Sequence, residues 1–275
     1  MKRKLLILLL VVGLISLGWG EERTALASIP PLQSLSSYIT GSLWKVSSIL
    51  PYNASPHTFE PTPETFRLVE KARLIVINGG DVDAWISKLI KGSSKIVNVS
   101  SNIPFEDNNP HIWLDPILAK KIAENIYKKL IEVDGSNKAI YEKNLKVLLN
   151  KLDKLDKEIR ERLSRFKKKE VIVYHPAWYY FFKRYNIKTV GVIEEGEGKE
   201  PSPKKIVEII NIIKKNNIKY IISEPFNRSP VLNTIAKETN VKIITLDPLG
   251  FGKDYFDLLR ENVKKLEKIF DEQNS

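Results

Sequence analysis

No cysteine occurs among the 275 residues, and only three are histidines. The first absence excludes lipid attachment through a processed cysteine. The second makes each imidazole worth locating in a chain that spends 44 positions on Lys and Arg. Aromatic and basic residues are not interleaved in a stripe, so the net charge of +11 does not point to a nucleic-acid module. The lysines sit in runs such as "KKNNIK", mixed elsewhere with Glu and Asp, as on solvated helix faces. No apolar run reaches the roughly 20 residues of a membrane span. The longest, "LLILLLVVGLISLG", follows "MKRK" and leads to Gly18 and Gly20 ahead of a plausible cut after Gly20. Residues 1–20 therefore read as a cleaved signal peptide, with an uncleaved anchor as the alternative. The mature chain is expected to be periplasmic or extracytoplasmic, and not a cysteine-linked lipoprotein.

Short apolar runs alternate with amphipathic patterns. "TALASI", "ARLIVING" and "KIVNVS" come first; "VIVYH", "KTVGVI", "KYIIS" and "KIITLD" follow Glu170. Such alternation predicts parallel sheets covered by helices. Between the two groups, from Asn137 to Lys167, there is neither Gly nor Pro. Leu145, Leu148, Leu152, Leu155, Ile159, Leu163 and Phe166 recur every three or four residues, one stripe of one helix. About 30 residues at 1.5 Å rise would span roughly 45–50 Å. With α/β patterns on both sides, a connecting helix fits better than a coiled-coil partner. The fold class is then α/β: two Rossmann-like lobes with parallel sheets, at 21–133 and 169–275, joined by one long helix within 134–168.

His57, His111 and His175 stand in "NASPHTFEPTP", "NNPHIWLDP" and "VIVYHPAWYYF". Each touches a proline, which stiffens its own backbone and pushes the preceding residue into extended conformations. A stiff loop suits a metal ligand because part of the ordering entropy is already lost. A single histidine is most often just hydrogen-bonded. Three with the same local chemistry, two in the first lobe and one in the second, suggest convergence in a cleft. His175 ends an apolar run, and Asp247 follows "KIIT" and Leu246, so both should lie at the carboxyl edge of a sheet, where open α/β folds bind ligands. Three nitrogens and one oxygen suit tetrahedral zinc. The spacings match no short metal motif. Glu224 in "IISEPF" is a candidate outer group or alternate ligand, and Glu60 is a candidate to orient His57. Asp115 before Pro116 reads as a helix cap; Trp113, Trp178 and Tyr179 read as core. The acidic "EEGEGKE" reads as a solvated loop that could draw cations.

The stretches "SPHTFEPTPETFRLVEKARLIVING", "NPHIWLDP", "VIVYHPAWYYFFKRYNI", "GKEPSP", "SEPFNRSPVLNTIAKETN" and "TLDPLG" together resemble the zinc- and manganese-binding solute-binding proteins of ABC importers, over nearly the whole mature chain. The resemblance implies a metal held between the lobes by His57, His111, His175 and Asp247, a membrane permease as partner, a monomer, and capture without catalysis. A histidine at the position of His175 is associated with zinc members, a glutamate with manganese members. Imidazole-rich sites favour zinc, oxygen-rich ones manganese. Some zinc members carry a histidine-rich loop in the first lobe, whereas "SSNIPFEDNNP" is short and has none. Zinc is thus expected first and manganese next, ahead of iron. Two rival readings are a zinc-dependent hydrolase and a binding protein for a metal chelate.

Overall fold

The structure, a computed structural model, describes residues 23–87, 90, 94–196 and 198–275. The expected signal peptide lies outside the described residues. Among the described residues no helix is long and apolar enough to cross a membrane.

Four short strands, β1 (Thr24–Ala27), β2 (Lys45–Ser48), β3 (Leu74–Ile77) and β4 (Ile96–Asn98), form the first sheet. Its order is β2-β1-β3-β4, and every pairing is parallel. The second sheet uses β5 (Glu170–Val173), β6 (Lys188–Val192), β7 (Tyr220–Ser223) and β8 (Lys242–Thr245). Its order β6-β5-β7-β8 repeats the plan of the first, again all parallel.

The helices are α1 (Pro30–Thr40), α2 (Pro63–Lys71), α3 (Ala84–Ser87), α4 (Pro116–Val133), α5 (Lys138–Ser164), α6 (Tyr179–Arg184), α7 (Pro203–Asn216), α8 (Val231–Thr239) and α9 (Tyr255–Asn274). Several begin at a proline behind a capping side chain. Thr62 accepts from the Thr65 amide, Asp115 from Ile117 and Leu118, and Ser202 from Lys205. Proline at the first helical position gives up no hydrogen bond there, and the cap satisfies amides that have no partner within the helix.

The strands sort their side chains by parity, as a pleat requires. Ala25, Ala27, Leu74, Val76, Val171, Val173, Tyr220 and Ile222 face one continuous core. Leu26, Ile75 and Ile77 face a small outer core against α2 and α3. Ile172, Tyr174 and Ile221 face another, against α7 and α8.

The continuous core is organised along α5. Tyr141, Leu145, Leu148, Leu152, Leu155, Ile159 and Leu163 form its buried stripe. Burying such side chains contributes roughly 1.5–3 kcal/mol each before chain entropy is set against it. The helix is 27 residues long, about 40 Å, slightly shorter than the sequence suggests. Phe166 is buried just beyond its last turn. α5 packs on α1 and α4 of the first lobe and on the C-terminal α9. α9 in turn reaches the first lobe, where the Tyr255 amide donates to Ser34 Oγ at 3.0 Å.

Polar contacts lock the lobes together. Trp113 Nε1 donates to the Pro248 carbonyl at 2.8 Å, and Tyr255 donates to the Trp113 carbonyl at 2.7 Å. Arg184 donates to the Asp115 carboxylate at 2.6 Å, so the α4 cap is also an inter-lobe tie. Trp113 and Trp178 are fully buried, as expected, while Tyr179 is only half-buried and its hydroxyl meets Glu106.

Candidate metal centre

Each candidate side chain hangs from a segment that follows a strand. His57 follows β2, Asp81 follows β3, and His111 follows β4 on the way to α4. In the second lobe His175, Glu194, Glu224 and Asp247 follow β5, β6, β7 and β8 in turn. Parallel strands place all these carboxyl ends on the same edge of their sheet.

The three histidines converge. His57 Nε2 lies 3.2 Å from His111 Nε2, which lies 3.3 Å from His175 Nε2. All three ligand atoms fall within 4.8 Å of one another. A tetrahedron with zinc–nitrogen arms of about 2.05 Å has edges of about 3.3 Å, so the two separations from His111 are those of ligands around one ion. His111 and His175 are buried, at 2% and 8% exposure.

What each ring does with its other nitrogen fixes its role. His111 Nδ1 sits 2.9 Å from Asn109 Oδ1, and the His111 amide donates to the same oxygen at 3.0 Å. Asn109 is held in turn, because its Nδ2 donates to the Pro176 carbonyl at 2.9 Å. The amide orientation makes Oδ1 the acceptor, so Nδ1 carries the proton and Nε2 presents a lone pair. His175 Nδ1 donates to Glu194 Oε2 at 2.7 Å. His57 Nδ1 lies 3.5 Å from Asp81 Oδ2, and this imidazole holds the Asp81 carboxyl below the usual range. Three lone pairs thus point at one another, an arrangement that calls for a cation. Burial, with the charges of His175 and His57 adding to it, pushes the His111 imidazole well below its ordinary value, keeping it in the neutral form that coordinates.

Asp247 is not among the mutually close ligand atoms. Its Oδ1 accepts from the Leu249 and Gly250 amides, both at 2.9 Å. Pro248 and Leu249, the next residues, wall a small space with all three histidines. Glu60, expected beside His57, is exposed, and the acid found beside His57 Nδ1 is Asp81. The "EEGEGKE" loop is not uniformly solvated either. The Glu194 side chain is 8% exposed, pinned by His175 on one oxygen and by the Gly198 amide at 2.6 Å on the other.

A sequence family described as "Zinc-uptake complex component A periplasmic" matches residues 26–269. The chain belongs to that family. Among its relatives, the high-affinity zinc uptake system protein ZnuA of Bacillus subtilis is 28% identical, over 90% of this chain and 87% of its own length. The manganese ABC transporter substrate-binding lipoprotein scaA of Streptococcus gordonii is 30% identical, over 86% of this chain and 84% of its own. A zinc-bound crystal structure of a ZnuA deletion mutant superposes with a TM-score of 0.82 at 32% identity, covering 91% of this chain and 98% of that one. The expectation of two α/β lobes joined by a long helix, read from the strand and helix patterns, thus agrees with solved members of the family. Several relatives are named lipoproteins, whereas this chain contains no cysteine.

Asp81, Asn109 and Glu194 escaped the reading of the sequence. Asn109 had a local signal, two residues before His111 in "NNPH". Asp81 and Glu194 carried only their place after an apolar run, the same cue that singled out His175.

Proposed function

We propose that this chain is the extracytoplasmic solute-binding component of an ABC importer, capturing one divalent transition metal between its 21–133 and 169–275 lobes and passing it to a membrane permease. The observation that carries the reading is the convergence of three imidazoles, with His111 Nε2 at 3.2 Å from that of His57 and 3.3 Å from that of His175, all three ligand atoms within 4.8 Å of one another, and Nδ1 of His111 and His175 held by a hydrogen-bond acceptor. Zinc is the first cargo, because three imidazoles make a nitrogen-rich, borderline-soft site; manganese is the second. Asp247, whose Oδ1 is committed to backbone amides, supplies Oδ2 as the fourth ligand. The protein acts as a monomer and makes or breaks no covalent bond. A hydrolase would need an open metal position for water, which the Asp247 oxygen fills in this reading.

Inter-lobe ties through Trp113, Tyr255 and Arg184, with α5 running under both lobes, favour release by movement of ligand-bearing loops over wide hinge opening. The test is titration of chelator-stripped protein with zinc and manganese separately, on wild type and His175→Ala. One-to-one zinc binding that the substitution abolishes is the expected result. Preference for manganese would reverse the cargo, and binding of neither would refute the reading.

A further inference from the structure

His111 is reached through a segment that its own backbone preferences do not shape. Asp107 and Asn108 stand at φ of 51° and 56°, in the left-handed region that residues other than glycine occupy at a cost. Contacts from outside the segment hold it in this form. Within the first lobe, Asn78 Nδ2 donates to the Pro110 carbonyl at 2.9 Å. The other anchors come from the second lobe.

Tyr180, in α6, supplies the central anchor. Its side chain is buried. Its hydroxyl oxygen accepts from the Glu106 amide at 2.9 Å, and the hydroxyl donates to the Asn109 carbonyl at 2.9 Å. The Asn109 amide closes this knot by donating to the Glu106 carbonyl at 2.9 Å. Burial raises the Tyr180 hydroxyl above its ordinary value, so the proton it donates stays in place. Farther out, the Glu106 carboxylate accepts from the Tyr179 hydroxyl at 3.2 Å and pairs with Lys183, both from the same helix. Asn109 then faces two ways. Its Oδ1 serves His111, and its Nδ2 reaches the carbonyl of Pro176, the residue after His175.

Resting on the metal reading above, we propose that Tyr180 is a positioning residue for metal capture: its hydroxyl, carried by the second lobe, fixes the 106–109 backbone so that Asn109 offers Oδ1 to His111 of the first. Tyr180→Phe keeps the ring and loses both hydrogen bonds, which frees Asn109 to turn away from His111 Nδ1. The same bracket couples ligand geometry to lobe alignment. A slide of α6 against the 106–109 segment withdraws support from His111 and pulls on the neighbour of His175 together. The site then loosens without the lobes parting.

The experiment uses the full chain and compares Tyr180→Phe with Tyr185→Phe. The second removes another buried hydroxyl, at the end of α6, bonded to Asp156 Oδ1 at 2.9 Å and off the path to His111. Zinc affinity is measured by competition with a chromophoric chelator, and the His111 Nδ1–H signal is followed by proton–nitrogen NMR in metal-free protein. Expected for Tyr180→Phe is a roughly three- to tenfold loss of affinity, the scale of one buried hydrogen bond, with a broadened Nδ1–H signal. Tyr185→Phe, with a comparable fall in melting point, should change neither. On an Asn109→Ala background, itself about 10- to 100-fold weaker, Tyr180→Phe should cost nothing further. Wild-type affinity or an unchanged Nδ1–H signal in Tyr180→Phe would overturn the proposal. So would equal affinity losses in the two tyrosine variants, or losses that multiply in the double variant. Wild-type protein that binds no zinc would overturn the metal reading itself, while the Nδ1–H comparison would still judge the bracket.

Discussion

Replacing Glu194 by glutamine tests the site through a residue that touches no metal. Glu194 accepts from two donors, the His175 Nδ1–H at 2.7 Å and the Gly198 amide at 2.6 Å. A carboxylate serves both. A glutamine side chain has one acceptor oxygen, and its NH₂ must then face one of the two N–H groups. Either His175 loses the partner that fixes its tautomer or the 194–198 turn loses its tie. Removing such a support from a metal-bound histidine costs about 10–100-fold in affinity, equivalent to about 1.4–2.7 kcal/mol. The assay is competition for zinc against a chromophoric chelator near neutral pH. Glu60→Gln serves as control, because Glu60 is exposed, and should stay within about twofold of wild type. Affinity in Glu194→Gln equal to wild type, in a protein whose His175→Ala variant no longer binds, would refute the argument that the carboxylate sets the ligand.

Three further outcomes are expected. His111 stays neutral in the fold while its unfolded counterpart takes up a proton near 6.5; below that pH the unfolded state binds more protons, so metal-free protein should lose stability as pH falls, by up to about 1.4 kcal/mol per pH unit for this residue. Asp83, whose carboxyl burial pushes up to about 6, pulls the other way, and urea melts from pH 8 to 5 on wild type and Asp83→Asn should separate the two. Zinc at 100 times its dissociation constant should stabilise the fold by about 2.7 kcal/mol, seen as a raised Tm that His175→Ala does not show. Leu152→Ala, at a fully buried position of α5, should cost about 2–5 kcal/mol in chemical denaturation while leaving the zinc stoichiometry at one.

Much of this architecture was legible because it repeats. Short apolar runs such as "LIVI" and "EVIV" mark strands buried on both faces, and the leucine stripe of α5 follows from helical geometry. The three histidines were legible through their prolines. Their supports were not, for a physical reason. Asn109 contacts its ligand locally, but Glu194 reaches His175 across adjacent strands β5 and β6, where a register shift falls between Val171 and Ile172. The pairing of residues 19 apart depends on that shift, which no spacing rule predicts. Glu60 was singled out by proximity in sequence, yet Asp81, on a different strand's loop, is the acid that meets His57.

The two sheets share one strand order, as if a single plan had been used twice, yet only their outer faces close cores of their own. The same unbroken core takes in Ala25 of β1, Leu152 of α5, Val173 of β5 and Phe270 of α9. A break in the chain at Gly135 would leave each piece with a bare apolar flank where α5 lies. The halves are two hulls built on one keel, alike in design and planked along a single inner face.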